Sequence, residues 1–341
     1  MFDDRRPGRL LSLVGLVLAG VLVLASCGGS GGEQSGSGST TPSGTSGAFP
    51  TTVTHEFGST TVPAAPQRVV SLGYTDQDAI LALGVVPVAI REFTGDKPSA
   101  TWEWAQDELQ GRQPQVLPVG EVGTETIAAL RPDLIVGISA GLTREQYDTY
   151  SRIAPTIAQP AGFVDYGTPW QDATRLTGQA LGRPAEAEKL VSDLEARFEQ
   201  VKQEYPVLQG KTVAGVRPST ADTASFFVWS SQDLRARFFE SLGMTVPAEF
   251  DQLAGDSFYA TISTEEIGTL DPVDALVLIT ASDQETRAFQ DLPGYSTLAP
   301  VREGHAFTPN PEQSAALSFS SVLSLPVVLD TLPGQMAAAL G

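Results

Sequence analysis

One block of this chain occurs twice, and that repeat constrains the fold more than any other feature. Glu125-Thr126-Ile127-Ala128-Ala129-Leu130-Arg131-Pro132-Asp133-Leu134-Ile135 returns as Glu265-Glu266-Ile267-Gly268-Thr269-Leu270-Asp271-Pro272-Val273-Asp274-Ala275-Leu276. Each copy is an amphipathic stretch stopped by proline and followed by an apolar run, the order of a helix, a break and a strand. Tyr150-Ser151-Arg152-Ile153-Ala154-Pro155 likewise returns as Tyr295-Ser296-Thr297-Leu298-Ala299-Pro300, and Leu83-Gly84 with Pro87 as Leu242-Gly243 with Pro247. The offsets are 140, 145 and 159 residues, and the three landmarks keep their order. Two α/β lobes of similar plan follow.

The apolar runs place strands at Val69–Leu72, Val86–Ile90, Leu134–Ile138, Thr156–Ala158, Val213–Val216, Phe226–Trp229, Ala275–Ile279 and Ala306–Thr308. Helical periodicity lies between them, near 76–83, 125–130, 143–152, 170–181, 233–242, 264–270 and 318–331. Alternating strands and helices predict a mainly parallel, doubly wound sheet in each lobe. Between the lobes, Leu190, Leu194, Arg197, Phe198, Val201 and Tyr205 form one stripe at helical spacing, with Pro184 at the start and Pro206 at the end. A helix of about 20 residues spans roughly 30 Å, enough to link two lobes as a rod. The expected layout is an N-terminal lobe over 49–182, a connecting helix over 183–206 and a C-terminal lobe over 207–341, with a ligand cleft between the lobes.

The N-terminus has a different character. Arg5, Arg6 and Arg9 precede an apolar run from Leu10 to Ala25. Such a run suits a secretory signal better than a membrane span. It ends Leu24-Ala25-Ser26-Cys27, which resembles the lipobox of bacterial lipoproteins. Residues 1–26 are therefore expected to be a signal peptide, and Cys27 the lipidated residue. From Gly28 to Gly47, 17 of 20 residues are Gly, Ser or Thr, a flexible tether over 27–48.

Charge and cysteine usage remove whole classes of function. The net charge of −19 lacks the basic footprint that nucleic acid requires, so no nucleic-acid partner is expected. One Cys leaves no internal disulfide framework and no Cys-based metal site. Two His, at 55 and 305, leave little for metal chemistry, so no resident metal is expected. His305 as a direct metal ligand is a minority alternative. No strand is followed by a Gly-x-Ser-x-Gly elbow, and no Gly-x-x-x-x-Gly-Lys loop occurs, so the chain is not expected to be an enzyme.

The whole arrangement resembles the substrate-binding proteins of ABC importers for iron–siderophores, haem and cobalamin. Pro66-Gln67-Arg68-Val69-Val70-Ser71-Leu72, Leu130-Arg131-Pro132-Asp133-Leu134-Ile135-Val136 and Ile153-Ala154-Pro155-Thr156 carry the resemblance along nearly all of the chain beyond the tether. Tyr74–Asp78, Trp102–Gln106 and Asp165–Trp170 look most like the ferric-siderophore branch. The resemblance implies a monomer anchored by lipid to the outer face of the bacterial cytoplasmic membrane. It would capture an iron(III)–siderophore complex, with no intrinsic cofactor, and deliver it to an ABC permease with its cytoplasmic ATPase. A haem- or cobalamin-binding lipoprotein and a lipid-anchored hydrolase stand as alternatives. The siderophore class, hydroxamate, catecholate or mixed, stays open.

In open α/β sheets ligands bind beyond the carboxyl ends of strands. Residues just after the predicted strands are therefore the candidates: Tyr74, Arg91, Trp102, Trp104 and Tyr166 in the first lobe, and Arg217, Trp229 and Tyr259 in the second. Arginine suits an anionic chelate, and aromatic rings supply flat walls. Trp170, beside Pro169 at a helix start, is assigned to packing. Glu125 and Glu265 open the duplicated helices, where a carboxylate also favours the helix dipole. The resemblance implies that these two glutamates dock on permease arginines.

Overall fold

The computed structural model describes residues 49–341 apart from 221. A hairpin comes first, β1 (Thr51–His55) against β2 (Gly58–Val62). The N-terminal sheet holds β3 (Val69–Ser71), β4 (Ala89–Arg91), β5 (Gln115–Leu117), β6 (Leu134–Gly137) and β7 (Thr156–Ala158). Its order is β5-β4-β3-β6-β7, and every pairing is parallel. The C-terminal sheet holds β8 (Val213–Pro218), β9 (Ser225–Trp229), β10 (Tyr259–Ser263), β11 (Ala275–Leu278) and β12 (Ala306–Phe307), in the order β10-β9-β8-β11-β12. The second order repeats the first, strand for strand.

The duplicated block is the physical core of that symmetry. In each lobe it forms the turn from an edge strand into the strand beside the sheet's centre. β6 and β11 are buried along their whole lengths, as strands covered on both faces must be. The repeated aspartate explains itself in hydrogen bonds. Asp133 accepts from the backbone N–H groups of Gln67 and Arg68, both at 2.8 Å, at the entry to β3. Asp274 accepts from Thr212 N–H at 2.8 Å, at the entry to β8. Each carboxylate thus pins the start of one central strand to the start of its neighbour.

The C-terminal sheet departs from the mainly parallel expectation. β9 runs antiparallel to both β8 and β10. Only residues 219–224 separate β8 from β9. A parallel crossover needs about a dozen residues or more, so this connection permits only a hairpin. Strands β1, β2, β5 and β10 are additions to those read from the sequence.

The helix Pro184–Glu204 links the lobes. Ala187 packs into the N-terminal core, while Val191, Leu194, Phe198 and Val201 pack into the C-terminal core. Leu190 touches both. One apolar stripe is therefore shared between two hydrophobic clusters, which makes the helix a common wall of both lobes. The sequence stripe included Arg197, but its side chain is half exposed and pairs with Asp330.

Candidate functional site

The carboxyl ends of the parallel strands face one another across a cavity of about 1120 Å³, open mouth included. Tyr74, Phe93, Ser139 and Tyr166 wall it from the first lobe. Arg217, Phe227, Trp229, Arg235, Phe258 and Tyr259 wall it from the second.

Tyr74 is held by the way β3 and β6 end. Its N–H donates to Ser139 O at 3.1 Å, and Thr75 N–H donates to Ser139 Oγ at 3.0 Å. Asp76 completes the lock. Its carboxylate accepts from Ile138 N–H at 2.8 Å, Ser139 N–H at 3.0 Å and Ser139 Oγ–H at 2.6 Å. Burial raises the Asp76 pKa, and these hydrogen bonds oppose it. The Tyr74 ring then lies 5.0 Å from Phe93 and 6.0 Å from Tyr166, centroid to centroid.

Arg91 ends β4 and sits behind Tyr74. Its guanidinium lies 4.0 Å from the ring centroid and donates to the Tyr74 hydroxyl at 2.8 Å and to Leu72 O at 3.3 Å. It is only 7 % exposed, its Nε has no acceptor, and no carboxylate among the described residues pairs with it. The sequence expectation put Arg91 directly on the ligand wall. The structure puts it one layer back, bordering a smaller cavity of about 610 Å³ that Tyr74 and Tyr166 divide from the main one. Because the Tyr74 oxygen already accepts from Arg91, its own O–H is left to donate into the cleft.

Tyr166 reaches the cleft through strained backbone, with φ 63° and 39 % of its surface exposed. A non-glycine residue in the left-handed region is uncommon and clusters at functional sites. Gly141 makes room for it, since a Cβ there would lie 2.5 Å from the Tyr166 hydroxyl. Burial, with Tyr74 and Asp165 nearby, pushes the Tyr166 hydroxyl up, so it remains a proton donor at neutral pH.

The opposite wall is set by the two-residue period of β9, which points Phe227 and Trp229 the same way. Gly215 on β8 lets Trp229 lie flat, because a Cβ there would come within 2.6 Å of the indole. Arg235 stacks over Trp229 at 3.6 Å. Both cleft arginines of this lobe carry a carboxylate in bidentate geometry. Arg217 donates to Glu285 at 3.0 and 2.7 Å, and Arg235 donates to Asp233 at 2.8 and 2.6 Å. The Arg217 pair, with Ala281 N–H, holds the Glu285 pKa below its usual value against the effect of burial.

Of the eight ligand candidates, Tyr74, Tyr166, Arg217, Trp229 and Tyr259 line the cavity. Trp102 and Trp104 do not, which corrects the expectation. They stack on each other at 5.2 Å and pack on Phe319, closing the junction between the lobes. Trp102 is extended and leads into the single turn Glu103–Ala105 that carries Trp104, and Phe319 of the second lobe covers both rings. Trp170 packs against Phe198, as expected. His305 precedes β12, at the amino end of the sheet and so away from the cleft, beside Glu303 at 3.7 Å. The metal-ligand alternative for it is dropped for that reason. Glu125 and Glu265 are both exposed, each in the turn that follows an edge strand, β5 or β10. Cys27 lies outside the described residues. The sequence reading missed Phe93, Phe227, Phe258, Asp233 and Arg235. Phe227 was legible as the i−2 neighbour of Trp229 on a strand.

The periplasmic binding protein family model matches residues 69–312. The chain belongs to that family. Among its curated relatives is the probable siderophore-binding lipoprotein YfiY of Bacillus subtilis, 28% identical over 275 residues, which are 79% of this chain and 78% of the relative. A periplasmic solute binding protein of Mycobacterium smegmatis superposes with a TM-score of 0.77 at 38% identity, over 85% of this chain and 99% of the other. PiaA of Streptococcus pneumoniae, solved in complex with ferrichrome, superposes with a TM-score of 0.71 at 26% identity, over 85% and 98% of the two chains.

Proposed function

We propose that this chain is a lipid-anchored, extracytoplasmic binding protein that captures a ferric siderophore and passes it to an ABC permease. The observation that carries the reading is the aromatic cleft backed by Arg91. A buried guanidinium without a carboxylate is costly in an empty protein. It is retained where a ligand brings anionic or strongly polar oxygens, which charge-assisted hydrogen bonds then reward. Binding without catalysis is supported by the second lobe's carboxylates. Asp233 and Glu285 are each engaged by a guanidinium and a backbone N–H, leaving neither placed as a free base. Among the described residues no three His, Cys, Asp or Glu side chains gather as a metal site.

The test is titration of the protein's tryptophan fluorescence with iron-loaded siderophores, with haem and cobalamin as controls. Trp229 stands in the cleft, so quenching is expected and should largely vanish in Trp229→Phe. Saturable quenching by haem or cobalamin alone would reject the siderophore reading.

Two further expectations belong to this reading. Cys27→Ala is expected to leave unprocessed precursor or to release the protein from membranes, read by fractionation; a diacyl anchor is sufficient by itself for stable attachment. Normal size and full membrane retention would reject the anchor. Glu125→Arg and Glu265→Arg are expected to keep ligand affinity and stability, because isolated exposed charges contribute little to either. Iron-siderophore uptake by cells is expected to fall in each and further in the double variant, since like charges across an interface cost several kcal/mol. Support comes from topology: both glutamates follow the carboxyl end of an edge strand, on the cleft side of their sheets. Normal uptake in the double variant would leave both glutamates as helix-start residues.

A further inference from the structure

We infer that the cleft selects ferric chelates of little or no net charge, the tris(hydroxamate) class, over strongly anionic catecholate and polycarboxylate chelates. This rests on the ferric-siderophore reading above and sharpens it.

The argument is one of charge. Two arginines line the cavity, and each is already neutralised. Glu285 takes Arg217 with both oxygens and is further fixed by Ala281 N–H at 2.9 Å. Asp233 takes Arg235 with both oxygens while accepting from Arg235 N–H at 2.8 Å as the N-cap of the helix Leu234–Ser241. Asp233 is 3 % exposed, so this pair sits in protein rather than in water. Among the described residues bordering the two cavities, Arg91 is the cation with no carboxylate partner, and it meets the main cavity through the Tyr74 hydroxyl. The remaining donors on the wall are neutral, chiefly the hydroxyls of Tyr74, Tyr166 and Tyr259.

The chemistry of the chelates completes it. Each hydroxamate gives up one proton and each catechol two. A tris(hydroxamate) of iron(III) is therefore neutral, with three carbonyl-type oxygens that accept from hydroxyl donors. A tris(catecholate) of iron(III) is strongly anionic, and a ferric polycarboxylate carries uncoordinated carboxylates. Seated between aromatic rings, a charge of several units would lose water and meet only one unpaired cation, Arg91, set one layer back behind Tyr74, which is unfavourable. The chain's net charge of −19 adds a field that opposes approach of an anion. A neutral chelate meets neither obstacle.

The test compares Kd values of the purified protein, at one pH and ionic strength, for ferrichrome and a linear neutral tris(hydroxamate), for ferric enterobactin, and for ferric citrate. Both hydroxamates are expected to bind at least about tenfold more tightly than either anionic chelate. Glu285→Gln and Asp233→Asn each free a cleft arginine while keeping an oxygen acceptor. Each is expected to narrow the gap by about threefold to tenfold, and the double variant more. Thermal melts show whether each variant remains folded. Tighter binding of enterobactin or citrate by the unaltered protein would overturn the inference, as would variants that fold but leave the ratio unchanged. Failure to bind any of the four chelates would instead overturn the siderophore reading itself.

Discussion

Replacing Arg91 by methionine is expected to weaken ferric-chelate binding tenfold to a hundredfold while making the empty protein more stable. The two effects have one cause. Arg91 is buried behind Tyr74, with a carbonyl and a hydroxyl as acceptors and Nε unpaired. A charge held this way is poorly compensated until ligand oxygens arrive on the far side of Tyr74. Charge-assisted hydrogen bonds in such a setting contribute about 1.5–3 kcal/mol, which sets the affinity range. An unbranched apolar side chain of similar length fills the same space without a desolvated charge. Substitutions of that kind at buried ionic sites are often stabilising, by about 1–4 kcal/mol. Calorimetric titration and chemical unfolding of Arg91→Met read both quantities. Unchanged affinity would mean that the ligand does not lie against Tyr74. A loss of stability together with affinity would make Arg91 a structural residue first. Tyr74→Phe separates the relay from the field, since it removes the hydroxyl and leaves the guanidinium.

The general plan of the fold was legible because it is written twice. Asp133 and Asp274 serve the same backbone junction in two lobes, so the repeat carries structural meaning at the level of single hydrogen bonds. The carboxyl-end rule then brought Tyr74, Tyr166 and Arg217 to the cleft, because strand direction decides which loops gather there. Trp229 ends the antiparallel β9 and Tyr259 opens β10, so both line the cleft without that rule. What escaped was decided by partners distant in sequence. Trp102 and Trp104 read as wall residues from their position after β4, but Phe319 of the other lobe covers them. Arg217 reads as a free cation until Glu285, 68 residues on, closes both ends of its fork. Strand β5 has three residues between Pro114 and Pro118, too short for a periodic signal. The alternation of Tyr259–Ser263, buried at Ala260 and Ile262 only, was a signal open to reading and was passed over.

Asp78 offers the largest stability effect and a defined pH signature. Its carboxyl is 1 % exposed on the helix Asp76–Ala82. Oδ2 accepts from Trp104 Nε1–H at 2.9 Å and from the hydroxyl of Ser321, which belongs to the other lobe, and Oδ1 has no partner. Burial outweighs these two hydrogen bonds and raises the pKa from 3.8 to about 6. In the window between those values the native carboxyl keeps a proton that the unfolded chain has released. Stability contributed by Asp78 therefore falls as pH rises from about 4 to about 6, and the deficit is complete above the folded value. At 1.36 kcal/mol per unit, the deficit near neutral pH is about 3 kcal/mol. Asp78→Asn can place its amide oxygen where Oδ2 accepts from both Trp104 and Ser321, but it carries no charge. The variant is expected to be about 2–3 kcal/mol more stable than the parent at pH 7.5, with the advantage shrinking to near zero at pH 4. Urea unfolding of both proteins at pH 4, 5.5 and 7.5 measures it, and taking the difference cancels Asp76, Glu92 and Glu240, whose pKa values are also raised. A difference that does not change with pH would show that Asp78 does not titrate in this window. A variant less stable than the parent at pH 7.5 would mean that the ionised carboxylate holds the lobes together more strongly than burial opposes it.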